Sequence, residues 1–219
     1  FLTVSFIALT ATADKVTRKD IITQLRLQQP KVYLASFNRK NIRVQVNPAL
    51  NRVGQILSFL GQQGDNSGII YCLSRKSTEE LAEKLHQAGI EAAAYHAGMG
   101  SEERSRVQEA FIKDDIRVIC ATIAFGMGID KPNVRFVLHY NLPQNVESYY
   151  QEIGRAGRDG MPSQAILFFS YQDVMRWRDI ITKNSAPEQV SLRLAKLERM
   201  QQFAETPRCR WQNPAQLLQ

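Results

Sequence analysis

The sequence predicts an α/β protein, a parallel sheet flanked by helices with a short α-helical C-terminal extension. Two observations carry that prediction. From residue 66 onward, short β-rich apolar runs alternate with segments of helical period, which is the pattern of βαβ units around a parallel sheet. The runs are also continuously apolar, as in Ile69-Ile70-Tyr71-Cys72-Leu73, which suits strands covered on both faces. A chain of 219 residues, 44% hydrophobic and 22% charged, has the material for a sizeable core.

Taken in order, Asp14 is placed to cap a helix whose Ile21, Ile22 and Leu25 face a core and which Pro30 stops. Extended segments at 32–35 and 42–46 then lead to Pro48, and a domain boundary is expected within 36–48. After strand 69–73, Ser77 and Glu80 form a capping box, Leu81 and Leu85 share a helix face, and Gly89 ends the helix. Strand 92–95 precedes a helix from Ser101 with Val107, Ala110 and Phe111 inward, followed by strand 117–121. A glycine-rich loop, strand 134–140, a helix over about 145–153 and strand 165–169 complete a set of five parallel strands. Segments 171–182 and 187–203 read as helices, the second with Leu192, Leu194, Leu197 and Met200 as an imperfect stripe.

Composition excludes several classes. The 28 Lys and Arg against 21 Asp and Glu leave a modest +7. Cys72, Cys120 and Cys209 are far apart with no C-x-x-C pair, which argues against a disulfide framework and a complete zinc site. Cys72 and Cys120 lie in apolar runs and read as buried structural thiols. No apolar run approaches the ~18 residues of a membrane span, and the first ten residues lack a secretory signal. The expectation is a protein neither membrane-bound nor secreted. No G-x-x-x-x-G-K-[ST] phosphate loop is present. Because Phe1 to Leu9 starts inside an apparent buried strand, an upstream portion is expected.

In an open parallel sheet, ligands bind beyond the carboxyl ends of the strands. Four places qualify. Ser74, Arg75 and Lys76 offer a hydroxyl and two cations at a helix start, suited to a phosphodiester, although alone they also fit a solvated turn. His96 and the Gly98 backbone are available to a polar ligand, with no carboxylate or thiol spaced to make His96 a base. Next, Thr122 precedes Gly126-Met127-Gly128, whose glycines permit close backbone approach, and Asp130 offers a carboxylate to a ribose hydroxyl or a cation. Fourth is Gln151-Glu152-Ile153-Gly154-Arg155-Ala156-Gly157-Arg158-Asp159-Gly160. Its two arginines, three apart and each preceded by glycine, suit phosphate, since guanidinium donors bind two oxygens and keep their charge.

With Ala8-Leu9-Thr10-Ala11-Thr12-Ala13, Ile70 to Arg75 and Tyr95-His96-Ala97-Gly98, these motifs resemble in order and spacing those of the RecQ family of superfamily 2 DNA helicases, over residues 6–210. The resemblance implies two RecA-like lobes with ATP between them and a zinc-binding module afterwards. On that basis residues 1–36 are the tail of lobe one, 37–48 a linker, 49–175 lobe two and 176–219 the start of the helical and zinc-binding module. It implies that Thr10 and Thr12 couple nucleotide state to DNA movement, and that Ser74, Arg75, His96 and Thr122 lie on the DNA side. Gly128 and Asp130 then lie on the ATP side with Arg155 and Arg158. Gln151, Arg155 and Arg158 form the last helicase motif, with Arg158 as arginine finger.

The implied activity is that of a 3′ to 5′ ATP-dependent DNA helicase with roles in DNA repair and recombination. Its partners would be single-stranded or duplex-junction DNA and a first lobe of the same parent chain, and its location bacterial cytoplasm or a eukaryotic nucleus. The family's phosphate loop and Asp-Glu-x-His magnesium box are missing from this sequence, so the isolated chain is expected not to turn over ATP, although the parent uses ATP and Mg2+. Cys209 matches the first zinc cysteine without the C-x-x-C that should follow, so Zn2+ is expected in the parent and not here. A non-catalytic single-stranded nucleic-acid-binding α/β module is the alternative, and a flavodoxin-like or nucleotide-cofactor domain a third.

Overall fold

The computed structural model describes residues 6–10, 15–33, 39–126 and 130–206. After α1 (Lys15–Gln24), the chain forms β1 (Ile42–Pro48), α2 (Arg52–Gly61), β2 (Ser67–Tyr71), α3 (Arg75–Gln87), β3 (Ala92–Tyr95), α4 (Ser101–Ile112), β4 (Val118–Ala121), β5 (Val134–His139), α5 (Val146–Ile153), β6 (Ser163–Phe169), α6 (Tyr171–Asn184) and α7 (Pro187–Glu205). The six strands form one sheet in the order β1-β6-β5-β2-β4-β3, and every pairing is parallel.

Period-2 alternation sorts the strand residues onto two faces. Ile69, Tyr71, Ile119 and Val137 pack with Val107 and Phe111 of α4, Tyr149 of α5 and Leu197, Met200 and Phe203 of α7. Ile70, Cys72, Val118, Cys120, Phe136 and Leu138 pack with Ile56 and Leu60 of α2 and Leu81 and Leu85 of α3. Cys72 and Cys120 are therefore core thiols. Burial pushes the Cys72 thiol up to about 12, against a hydrogen bond from Thr78 and the Arg52 charge. Gly68 is required by close packing, because a Cβ there would lie 2.0 Å from the Phe136 ring.

Several expectations change. Segment 42–46, expected to be extended, is part of edge strand β1, and the stretch 42–48 assigned to the linker is paired along its length with β6. The sheet thus has a sixth strand. Helix α2 was not anticipated, although Val53, Ile56, Leu57 and Leu60 carry the helical period and Asn51 caps it in a left-handed conformation. The α3 capping box is formed by Ser74 and Ser77, not by Ser77 and Glu80. Gly89, at φ +79, lies just past the α3 end as expected. On α7, Leu192 faces solvent and the buried stripe is Leu197, Met200, Phe203 and Ala204. Helix α1 ends six residues before Pro30, at a turn where Arg26 has φ 49. Its Leu25 is exposed, and Ile21 and Ile22 are only half-buried.

Candidate functional site

Three adjacent strands, β2, β4 and β3, end on one edge of the sheet, and the residues expected to meet DNA follow them. Ser74 ends the turn after β2: its Oγ accepts from Ser77 N–H at 3.1 Å, while Ser77 Oγ accepts from Ser74 N–H at 3.2 Å. The reciprocal cap satisfies two helix-terminal donors and leaves Arg75 exposed at the first position of α3. Arg75 lies over Gly98, where a Cβ would come 2.9 Å from its Nη1. Thr122, after β4, donates its N–H to Tyr95 O at 3.2 Å and so joins the end of β3.

His96 is 5% exposed and does have a carboxylate partner, contrary to the sequence reading. Glu79 Oε1 of α3 lies 2.8 Å from its Nε2. Gly98 N–H donates to His96 Nδ1 at 3.2 Å, so the network assigns the proton to Nε2, which donates to Glu79. Glu79 and His96 are 17 residues apart and meet only because α3 crosses over the β3 end. His96 thereby orients the loop carrying Gly98 under Arg75.

The arginine motif runs between the two edges. At its α5 end Glu152 pairs with His139, the last residue of β5, which agrees with the expected place at the carboxyl ends of the strands. The loop after α5 then carries Gly157 to Asp159, with Asp130, to the edge where strands begin, which was not expected. Gly157 N–H donates to the O of Val134, the first residue of β5, at 2.8 Å. The Gly157 O accepts from Arg39 Nη2 and Asn41 Nδ2, both at 2.8 Å. Gly157 has φ +56, and a Cβ there would meet Asn41 Nδ2 at 2.5 Å and Ser163 Oγ at 2.6 Å, so a side chain is excluded by both strain and space.

Beside it Arg158 Nη1 meets Asp130 Oδ1 at 2.9 Å. Arg155 reaches along the sheet to donate to Gly126 O, an approach possible because Gly126 has no Cβ. It also lies by the Tyr71 hydroxyl, which donates to Phe125 O at 3.0 Å. Burial raises the Tyr71 phenol, and the Arg155 charge partly opposes this. Gln151 is exposed on α5, and Thr10 is exposed near the start of the chain. Gly128, Thr12 and Cys209 lie outside the described residues.

Three polar clusters escaped sequence reading. Beneath the arginines, His139 Nε2 lies 2.6 Å from Glu152 Oε2, with the His139 ring stacked on Tyr71 at 5.4 Å. The strand ends also hold an Arg52, Asn141 and Asp173 cluster. At the other edge, Lys131, 3% exposed, has its Nζ 2.6 Å from Asp114 Oδ1 and 5.2 Å from the Phe111 ring centroid. Lys131 closes the core beside Asp130. Among the described residues no three His, Cys, Asp or Glu side chains gather as a metal site, and no helix is long and apolar enough to cross a membrane.

The all-parallel sheet with helices on both faces is the RecA-like lobe architecture of superfamily 2 helicases. A solved DEAD box protein from Methanococcus jannaschii matches 66% of this chain and 40% of its own, with TM-score 0.55 and 31% identity. Residues 49–160 match the family model described as helicase conserved C-terminal domain. The chain belongs to that family, on its RecQ branch. It is 48% identical over 204 residues to an ATP-dependent DNA helicase RecQ of Pasteurella multocida, covering 93% of this chain and 32% of the relative. It is 50% identical over 188 residues to a RecQ-like DNA helicase BLM of Xenopus laevis, covering 83% of this chain and 14% of the relative. The chain thus spans a third or less of the length of these two relatives.

Proposed function

We propose that this chain is the second motor lobe of a 3′ to 5′ ATP-dependent DNA helicase. A first lobe supplies the phosphate loop and magnesium ligands. In this reading Arg158 is the arginine finger on the γ-phosphate, and Asp130, Gly128 and Arg155 complete this lobe's share of the nucleotide site beside Gln151. Ser74, Arg75, His96 and Thr122 form the side facing the DNA backbone, and Thr10 and Thr12 the coupling segment.

The observation that best supports the reading is the division of polar groups between two edges of one sheet. Exposed Arg158 with Asp130 lies where strands begin, and the Ser74 to Arg75 helix start with Thr122 lies where strands end. A single rigid lobe can then touch nucleotide and strand at once, and closure on ATP becomes movement along DNA. Phosphoryl transfer spreads charge over oxygens that a positioned guanidinium stabilises, worth ~10³–10⁵ in rate, or about 4–7 kcal/mol of barrier.

The test is Arg158→Ala in a protein containing both lobes. ATP affinity should survive while DNA-stimulated hydrolysis falls by about 10³ or more. Unchanged hydrolysis would overturn the assignment.

A further inference from the structure

The winding of the sheet reverses between β2 and β5, the pair from which the chain proceeds outward in both directions. Such a reversal opens a crevice beyond the strand ends. Here one side chain bridges it. Asn141, two residues past β5, accepts Leu73 N–H on Oδ1 at 3.1 Å and donates Nδ2 to Asp173 Oδ1 at 3.0 Å. A carboxylate can only accept and a backbone N–H can only donate, so the bridging group must do one at each end. An amide side chain does both, and the two partners fix its orientation.

Asp173 belongs to the first turn of α6 and is 2% exposed. Its Oδ2 accepts from Arg52 Nη2 at 2.7 Å and from Leu142 N–H at 3.3 Å. Trp177, one turn further along α6, donates Nε1 to Leu142 O at 2.6 Å. The N–H and the C=O of Leu142 are thus both held by side chains of α6. The far side of this helical pair is tied to α5, through Lys196 and Glu147 at 3.1 Å and through Phe203 against Tyr149. Leu73, at the other end of the bridge, is followed directly by capping residue Ser74 and exposed Arg75.

We propose that Asp173 is a positioning residue. Acting through Asn141, it sets the Leu73 peptide and hence the Ser74 to Arg75 helix start, and so links the nucleic-acid grip of the lobe to α6 and α7. Displacement of α6 by a neighbouring module or lobe would be felt at Arg75 through two side chains. The proposal rests on the reading of Ser74 and Arg75 as DNA-backbone contacts. The relay itself is independent of that reading.

Two measurements on the full 219-residue chain separate these points. Amide hydrogen exchange is followed at Leu73, with Ile70 in β2 as internal reference, and binding of a labelled single-stranded oligothymidylate is followed across salt concentration. In Asp173→Asn the Leu73 amide should exchange about tenfold faster while Ile70 is unchanged. Oligothymidylate affinity should fall severalfold. In an Arg75→Ala background Asp173→Asn should cause no further loss, because residues acting through one path are not additive. Asn141→Leu breaks the bridge while leaving Asp173 its Arg52 partner, and should give the same pattern if Asp173→Asn fails to fold. Unchanged Leu73 exchange in both variants, or additive losses of binding, would overturn the relay. Absence of salt-dependent binding by the unaltered chain would instead remove the DNA reading of the turn, and with it the link to grip, whatever Leu73 does.

Discussion

Arg158 meets Asp130 at 2.9 Å across 28 residues of sequence, with side chains 37% and 89% exposed. The pair spans two segments that reach the same edge from different directions, the loop after α5 and the approach to β5. An ion pair this exposed contributes about 0–1 kcal/mol, so its place at the candidate nucleotide edge owes little to stability. Asp130→Asn should therefore shift unfolding free energy by no more than ~0.5 kcal/mol. In a two-lobe protein it should nevertheless lower DNA-stimulated ATP hydrolysis. Denaturant titration and a steady-state ATPase assay check the two halves, and a loss of stability without loss of turnover would reverse the interpretation.

Gly126→Ala tests the seat of Arg155. The new Cβ would lie 2.1 Å from Arg155 Nη2, and what must yield is the end of a flexible side chain. The fold should survive with a cost of about 1 kcal/mol, the low end for overpacking, while Arg155 leaves the Gly126 carbonyl. The expected result is a lowered kcat for hydrolysis in the two-lobe protein with a small change in thermal midpoint. Wild-type kcat would show that this position of Arg155 is immaterial.

Asp114 and Lys131 predict a pH response. A hydrogen bond from the Lys131 ammonium is the main cause holding the Asp114 carboxyl below its usual 3.8, with desolvation opposing and Ser67 assisting. The unfolded chain then binds this proton more readily than the folded one. The pair's contribution is present above the ordinary carboxylate range and is lost as pH falls through the lowered folded value. Asp114→Asn should lower the urea midpoint at neutral pH and flatten its fall between about pH 5 and pH 2. Parallel curves for both proteins would exclude the pair as a source of acid sensitivity.

Much of the fold was legible because its signals are local. The apolar run at 69–73, the helix from Ser101 and the helix over about 145–153 follow from side-chain period and turn chemistry. The helical period of α2 is just as local, but it is short and lies between Pro48 and the first clear strand. The extended character of 42–46 was legible, but its place in the sheet was not, since that depends on pairing with β6 far along the chain. The arginine motif was legible as groups able to bind phosphate, whereas the place of Arg158 beside Asp130 was not. That depends on the loop after α5 returning to the start of β5.

From the sequence alone came the alternation of elements, the RecQ motifs, and the identity of the groups able to meet phosphate. Local period and residue chemistry suffice for these. Only the tertiary structure decided that Glu79 holds His96, that Glu152 pairs with His139, and that Asp173 reaches Leu73 through Asn141. Each joins residues that the fold brings together, and burial of His96, His139 and Asp173 makes a partner within the fold favourable because water has little access. Sequence spacing carries no record of such pairings. Strand order creates them.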